Sequence, residues 1–147
     1  MSFPTTNKKA YFDYEILETY EAGLSLLGFE VKAIKQGRAS LVGAFVVIRG
    51  GEAYVLNMQV PPYQAGNTPA DYEPTRTRKL LLKKSEINEL IGSTEKTGLT
   101  LLPLKLYNKG GRIKLLVGLA RHKKTHDKRS SLKKKAVERE AGRRLKR

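Results

Sequence analysis

The sequence predicts a mainly β fold: a small antiparallel, OB-like β-barrel of about six strands, with two short inserted helices and a basic C-terminal tail that is disordered when free. Three observations carry that reading. Apolar residues alternate along short runs, Gly-Gly pairs sit inside two pairs of such runs, and the positive charge gathers at one end of the chain. Tight turns join strands into antiparallel pairs, and pairs closed on themselves make a barrel. Periodicity alone leaves a sandwich as the competing architecture.

The elements follow in order. Residues 1–6 read as a flexible lead-in, and Asn7-Lys8-Lys9 opens an ordered body over 7–120. Phe12, Tyr14 and Ile16 alternate with Asp13 and Glu15, a half-buried strand ending at Leu17. Thr19 then caps an expected helix over Tyr20 to Leu27, with Tyr20, Leu24 and Leu27 on one face and Gly28 as its exit. Phe29-Glu30-Val31-Lys32-Ala33 alternates again and is expected as strand. Ala44–Ile48 and Ala53–Leu56 flank Arg49-Gly50-Gly51-Glu52, a hairpin whose glycines take the positive φ of a tight turn. Residues 61–77 hold four of the six prolines and read as a long exposed loop, because proline cannot donate to a ladder. Arg78 to Leu82 is a strand-like run, and Ser85 caps a helix burying Ile87, Leu90 and Ile91 and closed by Gly92. A second hairpin runs from Leu99–Tyr107 through Asn108-Lys109-Gly110-Gly111 into Arg112–Ala120.

Composition limits the chemistry. A chain of 147 residues suits one domain, and no run approaches the ~20 apolar residues that span a bilayer. The N-terminus has no apolar run behind basic residues, so a cytoplasmic protein without a secretory signal is expected. With no cysteine, thiol catalysis, disulfides and cysteine-bound zinc are excluded. The 29 Lys and Arg exceed the 14 Asp and Glu by 15, and two thirds of that excess lies in residues 121–147. Each cation set against a phosphate releases condensed counterions, so such a segment favours nucleic acid in a salt-dependent way. The bland alternative is a solvated tail that aids solubility. Leu132, Ala136, Ala141 and Leu145 give the tail a thin helical stripe, which mutual repulsion keeps from coiling until a polyanion is bound. The tail has no aromatic anchor, which disfavours a membrane surface.

Catalysis has little raw material. His122 and His126 are four apart, as zinc ligands on a helix are, but no further Cys or His completes a site, so neither metal nor cofactor is expected. No helix follows either Gly-Gly pair to cradle a phosphate, so both read as turn glycines. In the body, Arg76, Arg78, Lys79, Lys83 and Lys84 form a basic cluster beside the proline-rich loop, joined by Lys8 and Lys9 if the fold brings them near. The alternative is a solvated face. Tyr11, Phe12, Tyr14 and Tyr20 suit stacking on bases, though aromatics in short strands are more often core.

Several segments resemble one family, the tmRNA-binding small protein B of bacterial trans-translation. They are Asn7-Lys8-Lys9-Ala10, Glu21-Ala22-Gly23-Leu24, Glu30-Val31-Lys32, the run from Arg76 to Leu82, the run from Gly98 to Tyr107, Gly118-Leu119-Ala120-Arg121 and His126-Asp127-Lys128-Arg129. The resemblance implies an OB-like barrel that clamps the tRNA-like domain of tmRNA, and no covalent chemistry. It implies a tail that enters the ribosome's decoding centre and vacant mRNA channel against small-subunit rRNA and becomes helical there. It also implies travel with elongation factor Tu and GTP, met indirectly through tmRNA.

By position, Asn7, Glu21 and Leu81 match the family residues associated with tmRNA binding, and Lys8, Lys9, Arg76, Arg78, Lys79 and Lys83 are the expected basic contacts around them. In the tail, Lys123, Lys124, His126, Asp127, Lys128, Arg129, Lys133, Lys134 and Lys135 are the expected ribosomal contacts. Two departures stand out: His122 where the family usually has a junction glycine, and Phe12 where histidine is common. A ribosomal or ribosome-assembly protein that binds rRNA permanently is the competing reading, and an enzyme acting on RNA ends is a third.

Overall fold

The computed structural model describes residues 3–64, 66, 68–96 and 98–124. The readings at His126, Asp127, Lys128, Arg129, Lys133, Lys134 and Lys135 therefore lie outside the described residues. The chain runs β1 (Thr5–Thr6), α1 (Lys8–Asp13), β2 (Tyr14–Leu24), α2 (Gly28–Lys35), β3 (Phe45–Arg49), β4 (Glu52–Leu56), β5 (Arg78–Leu81), α3 (Lys84–Thr94), β6 (Leu99–Lys109) and β7 (Arg112–His122). All seven strands form one sheet in the order β1-β6-β7-β2-β5-β4-β3, antiparallel throughout.

The mainly β, antiparallel architecture is as expected, but the barrel does not close. The hydrogen-bonding edge of β6 is already occupied: Thr5 and Thr6 pair with Leu106 and Lys105, and the Asn7 N–H donates to the Leu104 carbonyl at 2.8 Å. Residues 5 and 6, expected as flexible, thus serve as the last strand. The sheet curls until β3 nears β6, leaving a cleft of about 410 Å³ lined by Asn7, Ala10, Tyr14, Phe45 and Leu102 among others. The Asn7 amide spans this gap, donating to the Pro103 carbonyl at 2.9 Å and to that of Leu41 at 3.4 Å.

Among the described residues three helices form rather than two, and only α3 was expected. Asn7 caps α1 by accepting from the Ala10 N–H at 3.2 Å, so helix replaces the expected start of a strand at Phe12. The expected helix over Tyr20 to Leu27 is instead the second half of β2, which pairs with β7 along nearly its whole length. There Tyr20 and Ala22 point inward while Glu21 faces solvent, so a period of two overrides the helical spacing. The converse holds at 28–35. Glu30, at the third helical position, accepts from the Leu27 N–H at 2.8 Å and turns the expected strand into α2. In α3 the same work is done by Glu86, which accepts from the Lys83 N–H at 3.0 Å, so Ser85 is not the cap and the helix runs past Gly92 to Thr94.

Both hairpins form as read, with positive φ at Gly50, Gly51, Gly110 and Gly111. The segment between β4 and β5 is no simple exposed loop, because Met58 and Val60 are fully buried in the main core with Ile34, Leu41, Leu80 and Leu115. A smaller cluster of Ala10, Leu102, Leu104 and Ala120 fills the opposite face of the sheet beneath α1. A bulge between Pro103 and Lys105 lays Leu104 over Gly118, where a Cβ would come within 2.6 Å of its Cδ1.

Candidate nucleic-acid interface

The outward-facing residues of β5, β2, β7 and β6 meet in one row. The register sets Leu81 opposite Gly23, Gly23 opposite Lys114, and Lys114 opposite Tyr107. Leu81 remains 55% exposed, although Leu80 and Arg78 on the same strand are fully buried. The cause is alternation: Arg78 and Leu80 point into the core, and Lys79 and Leu81 stand on the outer surface.

Glu21 lies two residues before Gly23 on the same face. Its Oε2 accepts from the Tyr107 hydroxyl at 2.6 Å and from Lys109 Nζ at 3.3 Å. The Tyr107 hydrogen bond, with Lys109 and Lys114 nearby, holds its carboxyl below the usual carboxylate range against the opposing effect of desolvation. Burial and the Glu21 charge together push the Tyr107 hydroxyl up to about 12. A carboxylate on a cationic face is thus kept ionised and oriented, able to accept from a base amino group or a 2′-hydroxyl. Glu21 is legible as a candidate in the sequence, whereas Tyr107 and Lys109 are not, because only the β6–β7–β2 register reveals the contact.

The basic cluster read from the sequence divides. Lys83 and Lys84 are exposed at the start of α3, and Lys79 stands on the outer face paired with Glu52 at 3.3 Å. Arg78 does not join them. Its side chain is fully buried, with Nε and Nη2 donating to Glu30 Oε2 at 2.8 and 2.5 Å and Nη1 donating to the Met58 carbonyl at 2.7 Å. It cannot reach a phosphate from there. Arg76 is partly exposed, and its Nη2 and Nε both donate to Glu30. Tyr72 completes the group, its hydroxyl 2.9 Å from Glu30 Oε2 and 2.8 Å from the Val60 carbonyl. Burial alone would raise the Glu30 carboxyl; hydrogen bonds from Arg76, the Leu27 N–H and Arg78 bring it down to about 2. The run around Arg76 and Arg78 is therefore in large part a clasp that ties the 57–77 segment to α2.

Lys8 and Lys9 are exposed on α1, which packs at the Tyr14 end of β2, whereas Leu81 meets its Gly23 end. Nine residue steps of strand separate those ends, ~30 Å along the chain, so Lys8 and Lys9 lie away from Leu81 itself. Asn7 is buried and committed to its three structural bonds. Of the aromatic candidates, Tyr20 belongs to the core, its hydroxyl on Glu18 at 2.7 Å, and Tyr11 is exposed.

The junction with the tail is stiffer than the sequence boundary at residue 120. Strand β7 continues through His122, whose ring packs edge-on against Tyr14 at 5.0 Å between centroids, and the Lys123 N–H donates to the Asp13 carbonyl at 2.9 Å. Lys123 is partly covered and Lys124 exposed.

The sequence matches the family described as SmpB protein over residues 4–147. The chain belongs to the SmpB protein family. It is 51% identical over 143 residues to an SsrA-binding protein of Gloeothece citriformis, covering 97% of this chain and 92% of that one. An SsrA-binding protein of Bacillus cytotoxicus is 54% identical over 137 residues, 93% of this chain and 88% of the other. A solved chain described as "tmRNA-SmpB: a journey to the center of the bacterial ribosome" superposes with a TM-score of 0.70 at 46% identity, over 84% of this chain and 87% of that one. Among the described residues, no helix is long and apolar enough to cross a membrane, and no group of His, Asp and Glu is placed to hold a metal ion.

Proposed function

We propose that this protein binds the tRNA-like domain of tmRNA through the outer face of its sheet and delivers it to the A site of stalled ribosomes for trans-translation. The support is twofold: relatives at about half identity named for binding SsrA, and a solved relative described as tmRNA-SmpB on the ribosome. The single observation in this fold that carries the reading is the exposed Leu81 beside Gly23, with Glu21 held by Tyr107 in the adjoining row. Leu81 offers an apolar contact to sugar or base, Glu21 an oriented acceptor, and Lys79, Lys83 and Lys84 a set of phosphate contacts. Lys8 and Lys9 meet RNA separately, from α1. Asn7 and Arg78 act through structure, holding the sheet edge and the clasp.

The basic tail from Lys123 and Lys124 onward, including the His126-Asp127-Lys128-Arg129 motif and Lys133, Lys134 and Lys135, engages rRNA in the decoding centre and mRNA channel. Elongation factor Tu with GTP joins through tmRNA rather than through this chain. The assignment is to RNA binding, with no covalent step and no cofactor. Permanent rRNA binding, as in a ribosomal or assembly protein, is the alternative, which relatives named for binding SsrA do not favour.

Sequencing the RNA that co-purifies with the tagged chain from a bacterial lysate separates them. The expected result is one dominant structured RNA, tmRNA, retained as salt is raised. Recovery of rRNA alone at every salt concentration would refute the proposal.

A further inference from the structure

Behind Leu81 the outer face is not flat. A cleft of about 260 Å³ opens between the end of β2, the exposed side of Leu81, Val31 of α2 and the start of β7. Its floor is the Gly23 backbone, where a Cβ would come within 3.2 Å of Leu81 Cβ. Its walls include the partly buried side chains of Leu26 and Val31, both packed on the main core. The rim carries Arg112 and Lys114 and no acidic side chain lines the cleft. Neither cation belongs to an ion pair among the described residues.

Three features select the occupant. The volume is below the ~300–1,000 Å³ of pockets that bury drug-sized ligands, and so suits a single ring system. The apolar walls, made of side chains anchored in the core, suit the face of a flat ring. The Arg112 guanidinium and the Lys114 ammonium, the latter also acting on the Glu21 carboxylate, suit the phosphates on either side of it. We infer that this cleft is a socket for one unstacked nucleobase of the bound RNA, with Leu26, Val31 and Leu81 against the ring and Arg112 and Lys114 on the flanking phosphates. The inference rests on the RNA-binding reading above and adds to it a site and a class of contact. Folded RNA binds side chains most specifically where bases are splayed out of their stacks, because only there are ring faces available. A phosphate-only surface would need neither the apolar walls nor the side-chain-free floor.

The test uses the full chain, with AMP and ribose 5-phosphate as probes followed by NMR, and the transcribed tRNA-like domain of tmRNA as the RNA. AMP is expected to shift the amides of Gly23, Leu81 and Gly111 at millimolar concentration, and ribose 5-phosphate to leave them in place. Leu26→Trp, which fills the cleft, is expected to abolish those shifts and weaken binding of the tRNA-like domain at least tenfold, with an unchanged melting temperature. Val31→Phe serves the same purpose if the tryptophan variant does not fold. Equal shifts from the two probes, or a folded cleft-filled variant that binds the RNA as the unaltered chain does, would overturn the socket. Failure of the unaltered chain to bind the tRNA-like domain, with the AMP response intact, would instead overturn the choice of RNA and leave the socket standing.

Discussion

Glu30 has no exposed surface, yet two arginines, a tyrosine and a backbone N–H converge on its two oxygens. A buried carboxylate is tolerable only with such a full set of partners, and removing one side of a buried pair costs ~3–5 kcal/mol. Glu30→Gln is therefore expected to destabilise the fold by ~3 kcal/mol or more at neutral pH, read from urea unfolding, and to leave Arg78 charged without its counterion. The pH dependence has a definite sign. Because the carboxyl is lowered from 4.5 to about 2, its contribution is complete above the ordinary value and is lost as pH falls towards about 2. The unaltered chain should lose stability through that window, and the glutamine variant should show a flatter acid limb. Tyr107 makes a second case. Tyr107→Phe removes the principal bond lowering the Glu21 carboxyl, so its titration should move back up towards the ordinary carboxylate range. Binding of the tRNA-like domain should weaken roughly fivefold, the worth of one hydrogen bond at ~1 kcal/mol. In a Glu21→Ala background the same change should have no further effect. A fivefold loss there as well would make Tyr107 a contact in its own right.

At the scale of elements, the hairpins were legible and the short helices were not, for a physical reason. Gly50-Gly51 and Gly110-Gly111 each need positive φ at two successive residues, a demand that few sequences other than a tight turn make. Residues 20–27 and 28–35 carry apolar spacings compatible with both periods, and the choice falls to contacts outside those spacings. For β2 the deciding partner is β7; for α2 the Leu27–Glu30 cap is local, and the pocket of Arg76, Arg78 and Tyr72 around Glu30 adds the distant support. The same distance explains the arginines. Arg76 and Arg78 read as surface charge because nothing local reveals that Glu30, more than forty residues earlier, folds against them. Glu21 and Leu81 were legible as candidates through the resemblance, whereas their row on the sheet, with Lys114 and Tyr107, required the register. Gly118 tests the packing of the second cluster. Gly118→Ala forces a Cβ against fully buried Leu104 and is expected to cost ~1–3 kcal/mol in urea unfolding. Adding Leu104→Ala should recover part of that loss, since the two side chains compete for one space. Strictly additive losses would show that Leu104 does not set the limit.

Across the whole molecule, the proposed division of tasks between sheet and tail is open to test, and the structure indicates where to cut. Strand β7 and the Lys123 bond to Asp13 make residues 121–124 part of the folded body, so truncation belongs after Lys124 rather than after Ala120. A chain ending there should keep its melting temperature and bind the tRNA-like domain within about threefold of the full chain. The small decrease is the lost nonspecific pull of the tail cations, larger at low salt. It should support no tagging on stalled ribosomes. Tagging by the truncated chain would place the ribosomal contacts elsewhere.

RNA recognition is proposed to centre on the exposed Leu81 rather than on the buried cluster next to it in sequence. The affinity of Leu81→Ala for the transcribed tRNA-like domain, measured beside its melting temperature, tests this most directly. With 55% of Leu81 already exposed, the substitution leaves little cavity, so the expected result is an unchanged melting temperature and binding weakened about tenfold, as for a contact worth ~1.4 kcal/mol. A lowered melting temperature with normal binding by the folded fraction would contradict it.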